Sequence, residues 1–142
     1  QAMNTGHDGS ITTVHANSPK DVISRLDSMV LMSDVELPIR AIREMVSSAI
    51  DVIVHTARLS DGSRKITAIS EVTGLSREGE VVLGDLFVFR QSGVAGDGAV
   101  VGEFLATGTR PTFLEELKVK GFGLDESLFT AAGASAPHVR AS

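Results

Sequence analysis

The fold of this chain is decided by residues 51–72, which read DVIVHTARLSDGSRKITAISEV. Val52, Ile53 and Val54 form an apolar, β-branched run, which is typical of a strand. Asp61-Gly62 supplies the residues of a tight turn, so a second strand is predicted over roughly residues 64–73. Another turn at 76–79 and a third strand at 80–89 follow. Strands that alternate with turns in this way predict an antiparallel meander.

Helical patterns precede the meander. Ser18 can cap a helix and Pro19 suits its first position, and the apolar residues that follow recur at helical spacing. Pro38 is predicted to begin a second helix. Residues 1–6 look like the end of a helix that stops at Gly6, and residues 10–16 predict a short strand because most of them are β-branched.

The last third of the chain predicts a loop, a strand and two short helices. The loop covers residues 92–98, which include three glycines, and the strand covers 100–107. Pro111 or Thr112 opens a helix, and Thr112 with Glu115 matches a capping box. A short helix is predicted over 125–131, and residues 133–142 are predicted to form a disordered tail. The fold class is therefore α/β.

Composition excludes several classes of protein. The 142 residues include no Cys, so there is no disulfide framework and no Cys-ligated metal site. The formal net charge of -5 comes without a basic stripe, which disfavours nucleic-acid binding. No apolar run approaches the roughly 20 residues that span a bilayer, so no transmembrane segment is expected.

Polar side chains are densest at residues 6–18, GHDGSITTVHANS. On a strand, Thr13 and His15 would point to the same face, and a hydroxyl beside an imidazole can bind a phosphate. The alternative is a surface turn with two exposed histidines. A metal site built from His7, Asp8, His15 and His55 is disfavoured, because the spacing matches no zinc pattern.

Two further features bear on function. Arg40 and Arg43 share one helix face, and a solvated face is favoured over a patch that contacts a partner. No Gly-Lys dipeptide occurs anywhere, whereas a P-loop needs Gly-Lys-Ser/Thr to hold nucleotide phosphates. The chain itself therefore lacks this device.

The polar cluster carries a family resemblance. Residues 5–19, TGHDGSITTVHANSP, resemble the His box of the type II/IV secretion ATPases, and most of all the CpaF-type branch that powers Tad/Flp pilus assembly. Met45 departs from relatives, which tend to carry Gln. The absence of Cys argues against the branch with a four-Cys zinc module. Further blocks also resemble that branch: residues 24–26, 37–44, 48–54, 61–65, 71–72, 85–89, 106–111 and 113–114.

The resemblance implies the C-terminal portion of a RecA-like P-loop NTPase domain. Residues 1–59 would belong to the motor core, 60–131 to the C-terminal meander and helices, and 132–142 to the tail. The P-loop, the Walker B strand and an N-terminal domain would precede residue 1. The implied catalytic residues are His15, placed near the γ-phosphate, and Thr13, and the implied nucleotide-binding residues are these two with His7 and Ser10.

The implied cofactors are ATP and Mg²⁺, held mainly by the upstream part of the protein. The implied partners are other subunits of a hexamer and the inner-membrane platform proteins of a secretion or pilus machine. The implied location is the cytoplasmic face of the cell membrane. The parent protein would be an ATP hydrolase, and this chain alone would be inactive. The alternative is a non-catalytic module that docks on subunits or on the membrane platform.

Overall fold

The computed structural model describes residues 9–33 and 37–131. Their strands form one sheet in the order β1-β2-β3-β4, so the predicted antiparallel meander is confirmed. The elements are, in chain order, α1 Pro19–Leu31, α2 Ile39–Ala49, β1 Val52–Arg58, β2 Arg64–Leu75, β3 Val81–Val94, β4 Val100–Ala106, α3 Leu114–Val119 and a 3-10 helix Glu126–Phe129. The predicted helix end at 1–6 and tail at 133–142 lie outside the described residues.

Both predicted turns of the meander form. At the first turn, the Leu59 N–H donates to the Ser63 carbonyl over 2.8 Å, and Gly62 adopts a φ of 82°. At the second turn, the Ser76 N–H donates to the Glu80 backbone carbonyl over 2.8 Å, and Gly79 has a φ of 81°. Such positive φ values are cheap only for glycine, so these two glycines fix where each strand reverses.

The predicted strand at residues 10–16 is wrong. Residues 9–16 enter α1 without regular structure, and Ile11 is fully exposed. Within residues 9–33 and 37–131, this segment shares no backbone ladder with another strand. β-branched side chains favour a strand only when a neighbouring strand supplies hydrogen bonds and a packing surface, and neither is present here.

The helix starts are as the sequence predicts. The Ser18 hydroxyl oxygen accepts a hydrogen bond from the Asp21 N–H over 3.1 Å, and Pro19 occupies the first helical position. Helix α2 begins directly after Pro38. The described residues include no helix that is long and apolar enough to cross a membrane.

The last third differs from its prediction at three points. Strand β3 continues to Val94 through an irregularity between Gln91 and Gly93, so it takes in the first part of the predicted loop. Helix α3 begins at Leu114, after the predicted opening at Pro111 or Thr112, and its N-cap residue is Phe113. The Glu115 carboxylate pairs with Arg110, and the capping box of Thr112 and Glu115 stays a prediction. The final helix is present as a single 3-10 turn capped by Asp125.

The described residues fall into two compact units. The first comprises residues 9–33, 37–55 and 70–84, and its buried core is aliphatic: Ile23, Ile42, Val46, Ile53 and Val72. The second comprises residues 56–69 and 85–131, and its core joins Leu86, Leu114 and Phe129 to partly buried Phe87 and Phe113. The domain boundaries predicted after residues 59 and 131 stay a prediction.

Candidate functional site

An open depression of about 380 Å³ lies in the first unit beside the start of α1. It is lined by His15, Ala16, Asn17, Asp21 and Arg25. The four polar side chains among them are all exposed. The depression is therefore reached directly from solvent and has a mainly polar wall.

Two short pieces of chain bring these side chains together. His15 and Asn17 lie on the segment that enters α1, just before the Ser18 cap. Asp21 and Arg25 are four residues apart on α1, so they share one face of the helix. The hydrogen bond from the Asp21 N–H to the Ser18 hydroxyl fixes where α1 begins. It therefore also fixes the position of the entering segment relative to the helix.

A histidine of the sheet contacts the entering segment. His55 lies in β1 and is half-buried, and its Nε2 is 3.3 Å from the carbonyl oxygen of Ala16. A carbonyl oxygen only accepts hydrogen bonds, so Nε2 must carry the proton. The contact thus joins β1 to the peptide group that links Ala16 to Asn17.

The predicted site residues are only partly brought together. His15 lines the depression, whereas Thr13 and Ser10 are exposed on the entering segment and are not among the lining residues. His7 lies outside the described residues. Within the described part of the chain, no three His, Asp or Glu side chains are grouped so that they could hold a metal.

The sequence prediction did not include Asn17, Asp21 and Arg25 as site residues, although all three line the depression. Asn17 belongs to the polar cluster, and Asp21 and Arg25 follow it at helical spacing. The available signal was that a capped helix start turns its first exposed side chains back toward the preceding segment.

The side chains of the depression fit an oxyanion better than a cation. The imidazole of His15, the amide of Asn17 and the guanidinium of Arg25 can each donate a hydrogen bond to a phosphate oxygen. The carboxylate of Asp21 only accepts, and its backbone N–H is already used by Ser18. Three of the four polar side chains therefore fit a phosphoryl group, and one does not.

Further along α1, an ion pair joins the two helices. Arg43 of α2 donates from Nε to Asp27 of α1 over 3.0 Å, and its Nη1 reaches Glu80 at the turn between β2 and β3. These two carboxylates raise the pKa of the Arg43 guanidinium. The Arg43 side chain is only 21% exposed, so the predicted solvated face is wrong for it. Arg40 is 69% exposed and pairs with Glu44, as a solvated face requires.

Comparison with known proteins decides the family. The sequence model of the family described as "Type II/IV secretion system protein" matches residues 1–93, which include the depression. The chain belongs to this family. The domain of this secretion family is a portion of a RecA-like ATPase, so the predicted fold class is confirmed.

Curated relatives of this secretion-family chain cover a shorter part of it. A protein of Mycobacterium tuberculosis that is named for conjugal transfer is 33% identical over 69 residues, which is 49% of this chain and 19% of that protein. "Conjugal transfer protein TrbB" of Rhizobium radiobacter is 30% identical over 74 residues, which is 52% of this chain and 21% of that protein. The chain thus spans about a fifth of the length of these relatives.

Proposed function

We propose that this chain is part of a CpaF-type ATPase that couples ATP hydrolysis to the assembly of a Tad/Flp-type pilus or to protein export. The observation that carries the proposal is the donor set of His15, Asn17 and Arg25 in one open depression, within the residues that match the secretion family. The names of the curated relatives support a second candidate, an ATPase of conjugal transfer.

The nucleotide would be shared between this chain and another part of the complete protein. Without Gly-Lys, the chain has no P-loop, so the phosphate cradle and the Mg²⁺ ligands are assigned elsewhere. When bound, ATP would supply the γ-phosphoryl group and Mg²⁺ would neutralise its charge. What this chain adds is hydrogen-bond donors for the phosphoryl oxygens.

His15 is assigned the central role. Its imidazole donates to a phosphoryl oxygen as negative charge develops there, because phosphoryl transfer is accelerated mostly by positioning and by charge stabilisation. Thr13, Ser10 and His7 are assigned to the rim of the site. Only Ala16 and Asn17 separate His15 from Ser18 and Pro19, so a change at His15 would reach the start of α1.

The assembly and location are part of the same proposal. The resemblance supports a hexamer that works at the cytoplasmic face of the membrane, against the inner-membrane platform proteins of its machine. Arg25 and Asp21 on the exposed face of α1 would then lie in reach of ATP and of the neighbouring parts of the protein.

The test is His15→Ala in the complete ATPase. Loss of one preorganised donor of this kind lowers kcat by about 10²-fold to 10³-fold, and the affinity for ATP should stay nearly unchanged. Ser24→Ala is the matched control, since Ser24 is exposed on α1 but does not line the depression. Equal turnover by His15→Ala and the wild type would overturn the role and favour the alternative, a non-catalytic docking module.

A second measurement tests whether the P-loop belongs to another part of the protein. The 142-residue chain alone should bind ATP weakly and hydrolyse none, because it has no phosphate cradle. Steady hydrolysis by the purified chain would contradict the assignment of the P-loop to another part of the protein.

A further inference from the structure

The segment that carries His15 needs an anchor outside itself. Residues 9–16 share no backbone ladder with a strand among the described residues, and Ile11 makes no apolar contact because it is fully exposed. Loosely held backbone moves readily, and a catalytic side chain on such backbone loses its orientation. Either the Ser18 cap alone holds the segment, or a second contact does.

The second contact is the hydrogen bond from His55. Its Nε2 lies 3.3 Å from the Ala16 carbonyl oxygen, and this carbonyl belongs to the peptide group that links Ala16 to Asn17. His15 stands on one side of that peptide group and Asn17 on the other, and both line the depression. A bond at this point restrains both donors together.

His55 is well placed to act as a fixed point. It lies in β1, where the neighbouring Ile53 is 8% exposed and belongs to the aliphatic core of the first unit. The side chain of His55 is itself half-buried.

We propose that His55 is a positioning residue for His15: it holds the Ala16–Asn17 peptide group so that the imidazole of His15 faces the phosphoryl group. This inference rests on the proposed function, because it needs His15 to contact a phosphoryl oxygen. His55 itself touches no substrate. Loss of the anchor should therefore lower kcat and leave KM for ATP nearly unchanged, since orientation is lost while the site remains.

Three variants of the complete ATPase test this role. His55→Gln keeps an amide N–H at about the reach of Nε2, His55→Asn has a shorter side chain, and His55→Leu removes the donor. We expect about a 10-fold lower kcat for the Asn and Leu variants and near wild-type turnover for His55→Gln. Equal losses in all three variants, matched by equal losses in unfolding free energy, would show a merely structural role and overturn the inference.

A double variant separates this inference from the proposed function. If His55 acts mainly through His15, His55→Leu should cost much less in a His15→Ala background than in the wild type, and the remainder would act through Asn17. An additive loss would overturn the positioning role. If His15→Ala alone leaves turnover unchanged, the proposed function fails; if His15→Ala slows turnover and His55→Leu does not, only this inference fails.

A readout without nucleotide tests the anchor directly. In the uniformly ¹⁵N-labelled protein, the His55 ring should appear with a proton on Nε2. The backbone amide of Asn17 should shift in His55→Leu and return toward its wild-type position in His55→Gln. An unchanged Asn17 amide in His55→Leu would show that the bond does not hold this peptide group.

Discussion

In the first unit, the Arg43 side chain is 21% exposed and reaches Asp27, which is buried, whereas in the second unit Arg110 is 47% exposed and reaches Glu115 and Glu126. Lys118 joins the second group through Glu126 over 2.5 Å. The first unit thus has a sheltered ion pair between two helices. The second has an exposed ion-pair cluster between α3, the 3-10 helix and the chain just before α3.

Because the two groups of ion pairs differ in exposure, we expect the loss of a partner to lower the free energy of unfolding more in the first unit than in the second. Exposed pairs gain little, because water screens both charges and long side chains lose freedom when they pair. A sheltered carboxylate depends much more on its partner, because losing that partner leaves a charge in a poorly solvated place. The Asp27 carboxylate already lacks one bond, since its buried Oδ1 has no hydrogen-bond partner among residues 9–33 and 37–131.

The largest expected effect is that of Arg43→Met. Methionine keeps much of the aliphatic stem but leaves the Asp27 carboxylate unpaired between α1 and α2. We expect the free energy of unfolding to fall by about 3 kcal/mol, near the lower end of the cost of breaking a buried pair because Arg43 is still partly solvated. Urea denaturation measures this loss.

Two variants control this prediction. Arg40→Met, on the same helix, removes only an exposed pair with Glu44 and should cost less than ~0.5 kcal/mol. Combining Arg43→Met with Asp27→Leu should recover part of the loss, because the stranded charge is gone. Equal losses for Arg40→Met and Arg43→Met would show that burial does not separate the two pairs.

A smaller effect is expected for Arg110→Met in the second unit. Its partners Glu115 and Glu126 are 65% and 44% exposed, so water solvates them when the guanidinium is removed. The loss in unfolding free energy should be well below that of Arg43→Met and should shrink further in 0.5 M NaCl, where the Debye length is only a few ångströms. A loss as large as that of Arg43→Met, unchanged by salt, would break the comparison.

Local chemistry made much of the fold predictable. Ser18 and Pro19 marked the start of α1, and Asp61-Gly62 marked the first turn, because each acts through backbone atoms only a few residues away. The strand expected at 10–16 failed because its β-branched residues have no neighbouring strand among the described residues. Local propensity cannot supply that neighbour.

The candidate site was less predictable than the fold. His15 was found through the polar cluster and its resemblance, but Asn17 and Arg25 were not, because their place in the depression depends on how α1 follows the entering segment. The solvated position predicted for Arg43 was wrong for a similar reason. The sequence does not show that Asp27 of α1 and Glu80 of the meander lie against this face of α2 and pair with Arg43.

The smallest expected effect is a difference in how salt changes the pKa values of two carboxylates of the second unit, Glu126 and Asp61. The guanidinium of Arg110 and the ammonium of Lys118 lower the pKa of Glu126 from 4.5 to about 2. The hydroxyl of Ser63 and the backbone N–H of Val100 lower the pKa of Asp61 from 3.8 to about 2. One shift thus depends mainly on hydrogen bonds from charged donors, and the other mainly on neutral ones.

Because both pKa values are depressed on folding, each carboxylate stabilises the fold above its ordinary pKa and loses that contribution as the pH falls toward about 2.

Salt should change the two pKa values by different amounts. In 0.5 M NaCl the pKa of Glu126 should rise toward 4.5, since screening weakens its attraction to the two cations. The pKa of Asp61 should stay near its low-salt value, because its two oxygens accept bonds from Ser63 and Val100 at 2.6–2.9 Å whatever the ionic strength. Carboxyl ¹³C titration at two salt concentrations measures both groups in one sample, with Glu126→Gln and Asp61→Asn to assign the signals. Equal salt shifts for the two carboxylates would mean that the exposed cluster is held by its hydrogen bonds rather than by its charges.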